Sequence, residues 1–123
     1  MSKLLVVEDD KDICEVIIEE ITCQLKDIEI DVSYNAEDAF EKIKVNDYKL
    51  VLTDIRLPVM DGTELISSVK KELPNPPVFY VMTGLTNYPK NEALDKGGSA
   101  FYSKLDDLSE LVLDIKAFFD TQA

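Results

Sequence analysis

The 123-residue chain contains no histidine. That absence removes imidazole metal sites, histidine general-base catalysis and any histidine-containing triad together. There is also no basic block. Thirteen Lys and Arg stand against 25 Asp and Glu, a net charge of -12, so little is available to replace counterions on a phosphate backbone. Nucleic acid and membrane are therefore not expected as partners. Apolar residues come in runs of four to seven, far short of a membrane span, and Met1-Ser2-Lys3-Leu4 leads into a strand rather than a signal peptide. A cytoplasmic protein is expected. Cys14 and Cys23 fall on opposite faces of one predicted helix, about 13 Å apart along its axis, which precludes a disulfide between them. No repeat or low-complexity segment is present. With 46% hydrophobic and 31% charged residues, the chain reads as a single globular domain, 1–123.

What is present alternates between two periods. Leu4-Leu5-Val6-Val7 reads as a buried strand followed by Glu8-Asp9-Asp10, and Asp10 is placed to cap a helix from about Lys11 to Lys26 whose stripe is Ile13, Ile17, Ile21 and Leu25. Ile28, Ile30 and Val32 alternate with polar residues as an edge strand would. Asn35 can cap a second helix carrying Ala36, Ala39, Phe40 and Ile43. Tyr48-Lys49-Leu50-Val51-Leu52-Thr53-Asp54 is the central strand. Leu65, Ile66, Val69 and Leu73 stripe a third helix, halted by Pro74.

Val78-Phe79-Tyr80-Val81-Met82 makes a fourth strand that ends at Thr83-Gly84. Pro89 opens a weaker fourth helix running to about Lys96. Ala100-Phe101-Tyr102 is a short fifth strand followed by Lys104. A last helix carries Leu108, Leu111, Val112, Ile115, Phe118 and Phe119, with Asp107 and Glu110 as a capping-box pair. Five strands alternating with five helices predict an α/β fold with a doubly wound parallel sheet and helices on both faces.

In such sheets the carboxyl ends of the strands share one crevice. Glu8, Asp9, Asp54, Thr83 and Lys104 all belong to that edge. Singly, each has a plain structural reading as a helix cap, a turn former or a solvated cation. Together they form a candidate site.

Over essentially its whole length the sequence resembles the response-regulator receiver domain of two-component signalling. The resemblance lies in Leu4-Leu5-Val6-Val7-Glu8-Asp9-Asp10, Leu52-Thr53-Asp54-Ile55-Arg56-Leu57-Pro58, Met60-Asp61-Gly62-Thr63-Glu64-Leu65, Met82-Thr83-Gly84 and Lys104. It implies strand order 2-1-3-4-5, a flavodoxin-like arrangement. It implies further that Asp54 accepts a phosphoryl group from a histidine kinase or histidine phosphotransfer protein in a Mg²⁺-dependent reaction, and that the chain then switches a surface for a downstream target. By the same resemblance Asp9, Asp54 and the backbone carbonyl of Arg56 ligate the Mg²⁺, while the longer Glu8 acts through a water. Lys104 pairs with Asp54 and then with the phosphoryl group, Thr83 donates a hydrogen bond to it, and Phe101 is the switch aromatic. Phe101 reads equally as a permanently buried ring.

The departures from the family pattern are Leu105, where proline is usual, and the Thr86-Asn87-Tyr88-Pro89-Lys90 opening of the fourth helix. A trans bond is expected before Leu105, since cis would cost about 3 kcal/mol without proline. Arg56 and Leu85 flank the water route to the acceptor, which predicts slow self-dephosphorylation.

The expectation is a stand-alone receiver that is not an enzyme beyond its own phosphorylation and dephosphorylation. It is expected as a monomer, with phosphorylation-dependent dimerisation the alternative state. The competing function is a receiver-like interaction adaptor that phosphorylation does not control. A haloacid-dehalogenase-type phosphatase is disfavoured, because Arg56 stands where a second Asp is needed. An FMN protein is disfavoured by acids where phosphate requires an amide-rich loop.

Overall fold

The computed structural model describes residues 1–84, 94–95, 97–104 and 106–121. Its elements are β1 (Ser2–Val7), α1 (Lys11–Gln24), β2 (Ile28–Ser33), α2 (Ala36–Val45), β3 (Tyr48–Asp54), α3 (Gly62–Glu72), β4 (Val78–Thr83), β5 (Ala100–Ser103) and α4 (Leu108–Asp120). The five strands form one sheet in the order β2-β1-β3-β4-β5, with every neighbouring pair parallel. Four helices are described rather than the five expected. The missing one, from Pro89 to about Lys96, lies outside the described residues apart from Leu94 and Asp95, which are helical.

Parallel strands covered on both faces need apolar side chains on both, which explains the unbroken runs. Leu5, Val7 and Val51 pack with Ala39 and Ile43 of α2 and with Leu65 and Val69 of α3. On the other face, Leu4, Val6, Leu50 and Leu52 meet Ile17 and Ile21 of α1 and Leu111 and Ile115 of α4. The last helix is also tied down by a polar contact, the Tyr102 hydroxyl donating to Asp114 Oδ2 at 2.6 Å. Both cysteines are free, Cys14 buried and Cys23 exposed. Among the described residues no helix is long and apolar enough to cross a membrane.

The caps follow the sequence in two of three expected cases. Asp10 accepts the amides of Asp12 and Ile13, and Asn35 that of Asp38. Asp107 precedes α4 without a side-chain cap. Its Oδ2 instead accepts the Ser103 amide at 2.8 Å, holding the end of β5. The expected Asp107–Glu110 box is therefore corrected to a strand-to-helix brace. A full capping box does occur at α3, where Asp61 accepts the Glu64 amide and the Glu64 side chain accepts that of Asp61.

Candidate functional site

Register decides what meets at the carboxyl edge. Val7 lies opposite both Ser33 and Thr53, Asp54 opposite Met82, and Thr83 opposite Ser103. Glu8 and Asp54 therefore leave adjacent strands at nearly one level, and Lys104 leaves β5 at the same level, one strand further on beyond β4. Backbone bonds prolong the ladder past the strand ends: Glu8 N–H to Ser33 O at 3.1 Å, Ile55 N–H to Met82 O at 3.0 Å, and Lys104 N–H to Thr83 O at 2.9 Å.

Above this edge lies a cavity of about 320 Å³. Glu8, Asp9, Asp54, Arg56 and Lys104 all line it, joined by Asp10, Ile13 and Gly84. A larger hollow of about 470 Å³ lies at Ser2, the α1–β2 turn and the end of α4, away from the acid cluster.

Asp54 is buried, with each carboxylate oxygen engaged. Oδ1 accepts the Arg56 amide at 3.2 Å and Oδ2 accepts from Lys104 Nζ at 2.6 Å. Glu8 is fully buried as well. Its Oε2 accepts the Asp10 amide at 3.1 Å, and its Oε1 lies 2.6 Å from Lys104 Nζ. That second contact is an ion pair without the alignment of a hydrogen bond, so Oε1 keeps unused acceptor capacity. One ammonium thus bridges two buried carboxylates.

The electrostatics follow from this geometry. Burial pushes Glu8 up to about 7, reinforced by the charge of Asp54 and opposed by Lys104 and the Asp10 amide. Asp54 is raised by burial against the pull of Lys104. Burial would lower Lys104, but its two carboxylate partners outweigh that and raise it, so the ammonium stays charged.

The donor set suits a hard divalent cation. Oxygens of Glu8, Asp9 and Asp54 lie within 4.8 Å of one another, Asp9 is open to solvent, and no nitrogen or sulfur ligand is among them. Few protein oxygens beside an open cavity leave room for the waters that Mg²⁺ retains. The Glu8 Oε1 atom, buried without an aligned donor, is the specific feature that a cation would satisfy.

Thr83 is fully buried one residue before Gly84. Phe101 does not line this cavity. It is half-buried against the α2–α3 side of the core and borders a separate hollow of about 240 Å³ with Tyr102, Glu110 and Asp114. Leu85 and the Lys104–Leu105 bond lie outside the described residues.

Two structural supports escaped the sequence. Gly62 opens α3 so close to β3 that a Cβ there would sit 2.2 Å from the backbone oxygen of Asp54. Asp61 caps the same helix, and the Asp61-x-x-Glu64 spacing is the signal that could have shown it. Between them and Asp54, Val59 adopts φ 68°, an unfavourable conformation for a β-branched residue, while 94% exposed.

Comparison with known proteins agrees with this geometry. A sequence model described as the response regulator receiver domain matches residues 4–116. The response regulator ArlR of Staphylococcus saprophyticus is 28% identical over 122 residues, covering 99% of this chain and 54% of its own length. The chain thus spans about half the length of such curated relatives. A Francisella response-regulator receiver domain superposes with a TM-score of 0.86 at 23% identity, covering 100% of both chains, a likeness of fold. Response regulator TrrA of Thermotoga maritima, in complex with Mg²⁺-BeF, gives a TM-score of 0.82 at 26% identity, covering 96% of this chain and 99% of the other.

Proposed function

The chain belongs to the response regulator receiver domain family, and from that premise we propose that Asp54 accepts a phosphoryl group from a phosphohistidine on a kinase or phosphotransfer protein. The observation that carries the proposal is the bridging of Asp54 and Glu8 by Lys104 inside a cavity that also holds Asp9.

A carboxylate attacking an anionic phosphoryl group is a weak nucleophile facing charge repulsion. The protein's work is therefore positioning and neutralisation. The Arg56 amide fixes Asp54 Oδ1. An Oδ atom forms the new P–O bond as the P–N bond of the donor breaks, and the bonding pair leaves with the imidazole nitrogen. Lys104, charged and already at the acceptor, supplies one positive charge for the incoming oxygens. Asp9, Asp54 and the Arg56 carbonyl would hold Mg²⁺, with Glu8 beside them. The ion supplies Lewis-acid neutralisation of the phosphoryl oxygens. Thr83 and Phe101 form the switch by which the phosphorylated state reaches a partner surface, and the setting is the cytoplasm.

The test is phosphorylation by acetyl phosphate, followed by intact mass. The native chain is expected to gain one phosphoryl group with Mg²⁺ and not with EDTA, and Asp54→Asn to gain none. Equal labelling of Asp54→Asn would defeat the assignment.

A further inference from the structure

An open sheet exposes a row of backbone groups along each outer strand, and here β2 and β5 carry those rows. Successive residues of a strand turn their amide and carbonyl to alternate sides. Ser33 O accepts the Glu8 amide, so the odd-numbered residues of β2 face β1, while Ile28, Ile30 and Val32 turn their backbone groups outward. By the same alternation the Lys104 amide faces β4 and that of Ser103 faces out. A charged side chain meets each outward row. Lys42 of α2 donates to Val32 O, and Asp107 accepts the Ser103 amide.

The two edges differ in what they leave open. β5 is four residues long and β2 six, and among the described residues only Lys42 meets the outward row of β2. That row is complementary to a second copy of itself. A twofold axis at Ile30 sets Ile30 against its own equivalent and Ile28 against Val32, so that outward amides meet outward carbonyls. The side chains of these three residues are half-buried on the α1–α4 side of the core, and pairing would continue their apolar row across the axis. We propose that Lys42 guards this edge: its hold on the Val32 carbonyl keeps two copies of the chain from joining β2 to β2 as antiparallel strands. A second restraint is electrostatic. The same axis sets Glu29 against Asp31, like charges that resist pairing, although Lys3 lies 3.7 Å from Glu29 and the Tyr48 hydroxyl donates to Asp31 at 2.6 Å. Salt therefore favours the pair.

Sedimentation equilibrium reads the consequence. The native chain and Lys42→Arg, which keeps a cationic donor, are expected to stay at one chain mass. Lys42→Ala is expected to approach twice that mass between about 10 µM and about 1 mM, and more readily at high salt. Lys44→Ala removes the same charge from the same turn of α2, where Lys44 pairs with Glu41 and lies over the Phe40 ring, and is expected to remain at one chain mass. A monomeric Lys42→Ala, or equal association of the two alanine variants, overturns the guard.

Hydrogen exchange identifies the surface that pairs. The Ile30 amide of Lys42→Ala is expected to exchange about tenfold more slowly at the highest concentration than at the lowest, as it passes from water to a partner carbonyl. Ile30→Pro deletes that amide at an edge position, where proline is tolerated, and combined with Lys42→Ala it is expected to restore one chain mass. A dimer that leaves the Ile30 amide exchanging at its dilute rate, or that survives Ile30→Pro, is joined elsewhere and overturns the proposal.

Discussion

Gly62→Ala is the sharpest perturbation available near Asp54, because the structure fixes both its mechanism and its control. A Cβ at Gly62 would lie 2.2 Å from Asp54 O, 3.1 Å from Asp54 C and 3.1 Å from Ile55 Cα. All three are backbone atoms of the strand end, so no side-chain rotation relieves the overlap. The Gly62 amide also donates to Ile55 O at 2.9 Å, which holds α3 in the tight position. Alanine must push the start of α3 away from β3 and weaken that bond. The expected loss is about 2–3 kcal/mol, the range of overpacked positions, or roughly 10 °C in Tm for a domain of this size. Gly84→Ala is the matched control on the neighbouring strand end. Its nearest new contact is Lys104 Cδ at 3.9 Å, an ordinary separation. It is expected to remain within about 1 kcal/mol of native, with any gain coming from a less flexible unfolded chain. Urea unfolding with an unchanged m-value reads the difference. Similar stabilities for the two variants would refute the claim that contact with the end of β3, and not turn flexibility, demands glycine at 62.

Three other outcomes follow from the structure. Glu8 has its folded pKa raised from 4.5 to about 7, so its contribution to stability is fully present below pH 4.5 and lost as pH rises through about 7. Metal-free native protein should therefore lose stability from pH 5 to pH 8 more steeply than Glu8→Gln, and parallel urea-derived curves would contradict this. Asp61→Ala removes the acceptor for the Glu64 amide and the Thr63 hydroxyl, at 2.9 and 2.7 Å, and should cost about 1–2 kcal/mol in the same assay. Val59→Gly should stabilise by up to about 1 kcal/mol, because glycine accepts the positive φ and the exposed isopropyl group buries almost nothing. A lower Tm for Val59→Gly would mean that the side chain has a contact role outweighing its backbone cost.

The strands and their common edge were legible because each buried strand is a continuous apolar run that ends in, or is followed by, a polar residue. The resemblance supplied the order, and the register placed Glu8, Asp54, Thr83 and Lys104 on neighbouring strand ends as expected. Periodicity could not reveal contacts that depend on exact separations across the chain. The Glu8–Lys104 pair joins residues far apart in the sequence, and its 2.6 Å separation follows from tertiary packing, which no periodicity encodes. Gly62 reads in sequence as a turn former, yet its function is to let two backbones touch. Asp107 had the residue type and spacing of a cap, but the Ser103 amide competed for its carboxylate and won.

The Lys104 amide hydrogen-bonds the carbonyl of Thr83 while its side chain reaches across to Asp54. One residue therefore carries the charge that pairs with Asp54 and the peptide group that ties the end of the edge strand β5 to β4. Lys104 thus stands where the acid cluster meets the end of β5, the strand whose Phe101 borders the hollow of about 240 Å³.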